Sequence, residues 1–152
     1  MYYVRELNGD LIKLGNCIQA AFSGGGGGAT VSTQIISPTD QQTTTATSLA
    51  DVSDGSATLA NVTDGKAVFT WNLCSENTSA GAAVSAGFYY NDADKNVVQD
   101  EPPAANVVYT TSVTDTDDTD GGTLQLRWKV QAGTTTLVND YAKSLCTIFE
   151  VG

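Results

Sequence analysis

Two stretches of this chain read as strands and as little else. In "KAVFTWNLC" (66–74), Ala67, Phe69, Trp71 and Leu73 alternate with Val68, Thr70, Asn72 and Cys74. In "LQLRWKV" (124–130), Leu124, Leu126, Trp128 and Val130 alternate with Gln125, Arg127 and Lys129. Successive side chains of an extended backbone point to opposite faces, so a period of two places the first set of each stretch on a core face. A helix would scatter the same residues around its circumference. Whatever the chain folds into must bury both strands, and with them both tryptophans.

From residue 29 onward, turn chemistry recurs at roughly ten-residue intervals. "TVSTQIIS" predicts a strand closed by Pro38. Two similar decapeptides follow, "ADVSDGSATL" from Ala50 and "ANVTDGKAVF" from Ala60, with Asp54-Gly55 and Asp64-Gly65 at matched positions. We read each unit as one strand plus one tight turn, a β-meander; two copies are too few for a solenoid. "AAVSAGFYY" predicts a strand ending in the polar turn "NDADKN", and "NVVYTTSVTD" another after Pro102-Pro103. "GTTTLVNDYAKSLCTIFEV" predicts one broken strand or two short ones. Nothing alternates strand with helix, which excludes an α/β fold. The 21 threonines agree, because a β-branched side chain suits a pleated sheet better than a helical turn. The expected fold is all-β: an antiparallel β-sandwich or jelly roll of about eight short strands.

Residues 1–23 differ in character. Asn8-Gly9 sits between two half-apolar runs and favours a type I′ hairpin, with a helix over 10–22 as the competing reading. An isolated hairpin is marginal in water. Tyr2, Tyr3, Val4, Leu7, Leu11, Ile12, Leu14, Ile18 and Phe22 therefore need a further surface to lie on. Gly24 to Gly28 then form an uninterrupted glycine tract. Such tracts behave as flexible coil, and ordering five residues costs about 5–10 kcal/mol of backbone entropy. The expected organisation is an N-terminal arm (1–23), a glycine linker (24–28) and a β-sandwich domain (29–152).

The net charge of −10 argues against nucleic acid and anionic membranes as partners. No apolar run approaches ~20 residues, so no membrane-spanning helix is expected. The first residues carry scattered charges and no clean apolar region before a cleavage site; they do not read as a signal peptide. The protein is expected to be made in a cytoplasm and not secreted. On that ground the glycosylation patterns at Asn61-Val62-Thr63 and Asn77-Thr78-Ser79 are read as incidental.

Sites of chemistry are sparse. Histidine is absent, which removes the commonest general base and metal ligand. Cys17, Cys74 and Cys146 form no C-x-x-C pair; Cys74 and Cys146 are read as buried thiols, with a bridge between them as the alternative. "DTDDTDGG" (115–122) does not fit an EF-hand loop, since placing Gly121 sixth puts Arg127 twelfth, where a bidentate glutamate belongs. It reads as a solvated turn, leaving Asp115, Asp117, Asp118 and Asp120 as candidates for an irregular cation site. "NDADKN" fails the same spacing. Tyr89, Tyr90, Tyr109, Trp71 and Trp128 could line a sugar site, although strand spacing assigns both tryptophans to the core. The glycine run lacks the Lys-Ser/Thr of a phosphate loop. No catalytic residue, cofactor or metal is assigned.

A short apolar arm joined by glycines to a Thr/Asp/Gly-rich sandwich resembles bacteriophage virion proteins, namely head decoration (cement) proteins and tail-fibre tips. Over residues 45–152 the chain is similar to their trimeric jelly rolls, related in build to C1q and tumour-necrosis-factor heads. "YYNDADKNVV", and "WKVQAGTTT" followed by a final apolar strand, carry the likeness. It implies a non-enzymatic homotrimer on the capsid surface whose arm contacts the major capsid protein or another virion protein. The alternative it carries is a tail-fibre or spike component that binds a host receptor or glycan, through loops such as 91–96 or 115–122. A carbohydrate-active enzyme or lectin is the third reading. The chain has fewer aromatics than a tumour-necrosis-factor head would normally show.

Overall fold

The computed structural model describes residues 31–39, 41–139 and 143–152. The predicted arm (1–23) and glycine linker (24–28) lie outside the described residues, as does Cys17. The described residues form ten strands and no helix. These are β1 (Val31–Ile36), β2 (Thr43–Thr44), β3 (Ala50–Thr58), β4 (Asn61–Asn77) and β5 (Val84–Tyr90), then β6 (Ala93–Asp100), β7 (Tyr109–Asp120), β8 (Thr123–Val130), β9 (Thr135–Leu137) and β10 (Leu145–Val151). They pair into two sheets, giving an all-β antiparallel sandwich.

The long strand β4 organises the first sheet. Along one edge it pairs β7, from Lys66↔Asp118 to Ser75↔Tyr109. Along the other it pairs β10 through residues 66–72 and β9 through residues 75–77. The break between them falls at Cys74. There Cys74 N donates to Ser144 Oγ at 2.9 Å, and that hydroxyl donates back to Cys74 O at 3.0 Å. Ser144, fully buried, thus fills the gap that the predicted broken terminal strand leaves in the ladder. β1 continues the sheet beyond β10, and β2 beyond β9.

The second sheet runs β3-β8-β5-β6. β5 and β6 form a hairpin whose turn is Asn91-Asp92, with φ of 52° and 56°, the left-handed pair that a two-residue type I′ turn requires. The turn is therefore shorter than "NDADKN" suggests, and Lys95 and Asn96 belong to β6.

Both alternating stretches deliver the expected faces. Ala67, Phe69, Trp71 and Leu73 meet Leu124, Leu126, Trp128 and Val130 with none more than 2% exposed. Phe69 packs edge-on to Phe88, with ring centroids 5.2 Å apart. Both tryptophans and Tyr90 belong to this core, so they offer no sugar-stacking platform.

Two expectations need correction. Asp54-Gly55 and Asp64-Gly65 are not turns: they lie inside β3 and β4, and those strands belong to different sheets. At each, four residues (52–55 or 62–65) stand against a single partner residue, Leu126 on β8 or Thr119 on β7. Only the aspartates take positive φ, 52° at Asp54 and 60° at Asp64, whereas a type I′ turn needs it at both positions. The glycines serve a close approach instead. A Cβ on Gly55 would lie 2.8 Å from Val52 Cβ, and one on Gly65 3.0 Å from Val62 Cβ. The decapeptide repeat encodes two matching β-bulges, not a meander. Secondly, 115–120 is strand rather than solvated turn; the reversal between β7 and β8 is Gly121-Gly122, with Gly121 at φ 82°.

Candidate functional site

The outer face of the first sheet is the surface with the most unusual chemistry. Period-two alternation turns Lys66, Val68, Thr70 and Asn72 of β4 outward, and Thr147 and Phe149 of β10. Val68 and Phe149 are direct cross-strand partners and stay 41% and 44% exposed. On β1, the strand next to β10, Ser32 and Gln34 bond Glu150, which turns Ile35 outward; it is 66% exposed. The rest of the face is nearly all threonine, serine and asparagine, with Thr70 and Thr114 hydroxyls 3.2 Å apart and Ser112 Oγ donating to Asn72 at 2.7 Å. Its charges are an exposed ion pair at one end, Lys66 with Asp118, and Glu76 in the outward phase of β4 at the other. A chain of net charge −10 thus presents a face of short polar and apolar side chains with little charge.

Glu150 fixes that face from beneath. It is 4% exposed and has no cation partner among the described residues. One oxygen accepts the Ala60 amide at 2.6 Å, where β3 gives way to β4; the other accepts Ser32 Oγ at 2.7 Å and Gln34 Nε2 at 2.9 Å from β1. Burial pushes its carboxyl up, but these three donors outweigh burial and hold it below the usual carboxylate range. The carboxylate ties edge strand β1 to the corner between the sheets.

The acidic run on β7 does not assemble a cation site. Asp115 accepts the Asn96 amide at 3.0 Å, and Asp117 pairs with Lys95 at 2.7 Å; both bonds tie β7 to β6 across one side of the sandwich. Asp118 pairs with Lys66. Asp120 accepts the Tyr90 hydroxyl, which holds its carboxyl low, and burial followed by that contact pushes the Tyr90 phenol up to about 12. Among the described residues no cluster of three or more carboxylate or thiol groups is placed to hold a metal. A cleft of about 300 Å³ at the β4 bulge is lined by Val62, Asp64, Lys66, Asp118 and Thr119.

The remaining candidates are structural. Cys74 and Cys146 are free and buried, and burial pushes the Cys146 thiol up to about 12. Asn77 is fully buried, donating to Ala82 O at 3.1 Å and Ala132 O at 3.2 Å and accepting the Ser79 amide at 3.1 Å. Its amide is inaccessible in the folded chain, whereas Asn61 is exposed. The apolar arm residues from Tyr2 to Phe22 fall outside the described residues. Ile35, Val68, Phe149 and Glu150 were not singled out by sequence. The available signal was a large apolar residue in the outward phase of a strand, as at Val68.

The chain matches no family model and no curated protein. Among solved structures it is similar to dimeric latent PorU from Porphyromonas gingivalis, at 7% identity over 82% of this chain and TM-score 0.52; it spans only 13% of that chain. It is also similar to PRD1 vertex protein P5, at 18% identity over 82% of this chain and 98% of that one, TM-score 0.47. Murine APRIL follows, at 7% identity over 79% and 98% of the two chains, TM-score 0.47. At these identities the likeness is one of fold, an all-β sandwich.

Proposed function

We propose that this is a non-enzymatic structural protein of a virion surface, a head decoration protein that assembles as a homotrimer. The observation that carries the assembly is the sparsely charged outer face of the first sheet, with Ile35, Val68 and Phe149 exposed on it. Contiguous apolar surface of this kind marks a protein–protein contact. A second copy of this chain is its occupant. Two copies at net −10 each repel over most of their surface, and this face, with little charge, is where they can approach with least repulsion. In a closed three-fold ring each face meets a second surface of the next copy. The virion assignment rests on the sequence resemblance. With it comes the role of the arm: Tyr2, Tyr3, Val4, Leu7, Leu11, Ile12, Leu14, Ile18 and Phe22 engage the major capsid protein, and the glycine linker gives them reach.

Light scattering of the full chain tests the assembly. A trimer is expected, and a monomer at micromolar concentration overturns it. Co-sedimentation of the full chain with shells lacking it tests the location: retention on shells is expected, and retention by host glycan instead moves the protein to a fibre or spike.

A further inference from the structure

One stretch of the core is built differently from the rest. Along the inner face of β4, from Trp71 to the loops gathered by Asn77, five polar side-chain atoms are buried with no hydrogen-bond partner in the protein: Trp71 Nε1, Ser75 Oγ, Tyr109 OH, Thr111 Oγ1 and Thr135 Oγ1. Trp71, Ser75, Thr111 and Thr135 are each no more than 1% exposed. All five project from the inner face of the first sheet, spread along β4 from Trp71 to Asn77, the partner of Thr135, over about 20 Å of strand. Ser75 stands opposite Tyr109 on one side and Leu137 on the other. Thr135 lies two residues from Leu137, and Thr111 pairs with Leu73, between Trp71 and Ser75. Direct cross-strand neighbours have Cβ atoms about 5 Å apart and diagonal ones about 7–8 Å. Ser75 and Tyr109 lie side by side without forming a well-directed bond to each other.

A buried polar group without a partner loses its hydration and gains nothing in return, and five together would offset much of the stability of a typical domain. Towards the other end of β4 the one further buried atom of this kind is Asp117 Oδ2, opposite Ala67, and it faces Lys95 Nζ at 2.7 Å.

We propose that the inner face of the first sheet holds internal water between Trp71 and the Asn77 end, at one site bounded by Trp71 and Thr111 and at another bounded by Ser75, Tyr109 and Thr135. A buried water makes about three hydrogen bonds, so about two waters satisfy all five atoms. The lining is four hydroxyls and one indole N–H, uncharged throughout, which suits water and gives an ion nothing to pair with. Tyr109, half-buried, marks its outer limit.

Replacing a hydroxyl by a methyl of equal size decides the matter in the full chain. Thr111→Val and Thr135→Val are each expected to lower Tm by about 2–4 °C, because each removes a bonded group. If the sites are dry, each change deletes an orphan, and an unchanged or raised Tm overturns the proposal. Water–amide magnetisation transfer in the wild-type chain is the second readout. Long-lived cross-peaks are expected at the amides of residues 73–75 and 109–111, and their absence counts equally against the sites.

Discussion

The outer faces of the two sheets are built from the same strand geometry but treat solvent in opposite ways. On the second sheet, Arg127 donates to Asp51 at 2.8 Å and Asp94 at 2.9 Å, and its guanidinium lies 4.0 Å from the centre of the Tyr89 ring. Gln125 reaches Val52 O, Gly55 O and Leu126 O. Long side chains thereby cover most of that face with their own partners, leaving Val97 of β6 as its exposed large apolar residue. The first sheet has threonines in those places, together with bare Ile35, Val68 and Phe149. A face that satisfies itself needs nothing further, whereas one left short-chained and apolar is completed by another molecule.

The sharpest break in this contrast is Phe149→Asp combined with Ile35→Asp. Both side chains are exposed, so the fold should survive, and the light-scattering mass should fall from trimer to monomer while Tm of the dissociated chain changes little. Retention of the trimer would remove this face from the assembly. Glu150→Gln tests the support beneath the face, at a cost of about 1–3 kcal/mol near neutral pH in thermal unfolding. Because the folded carboxyl sits below its unfolded value, its contribution is fully present above the unfolded carboxylate range and is lost as pH falls through the folded value. Wild-type Tm should therefore drop more than that of the Gln variant on acidification from pH 6 to pH 3. The smallest effect belongs to the second sheet. Arg127→Ala should cost about 1 kcal/mol, less in high salt, because its pairs are partly solvent-exposed. It should leave the assembled mass unchanged; dissociation here would erase the distinction between the faces.

Much of this was legible in the chain and some of it was not. The alternations at 67–73 and 124–130, a reversal within "NDADKN" and the split terminal strand could be read directly, because period-two patterning and turn chemistry are local properties. The Asp-Gly repeats show the limit of local reading. An aspartate with positive φ before a glycine serves a turn or a bulge equally well, and the choice falls to the partner strand, here β8 for one and β7 for the other. The acidic run was misread for a similar reason. Its carboxylates find Asn96, Lys95, Lys66 and Tyr90 only after β6 and β7 have come together.

The sequence alone determined that this chain would be an all-β sandwich with both tryptophans inside, since burying alternating apolar residues leaves no other arrangement of comparable stability. Tertiary structure alone decided that Val68 would stand beside Phe149 and that Glu150 would lie beneath β1. It also decided that hydroxyls from three strands would line the inner face of the first sheet. Those are matters of strand order and register, fixed by the sum of contacts across the sheet rather than by any one segment.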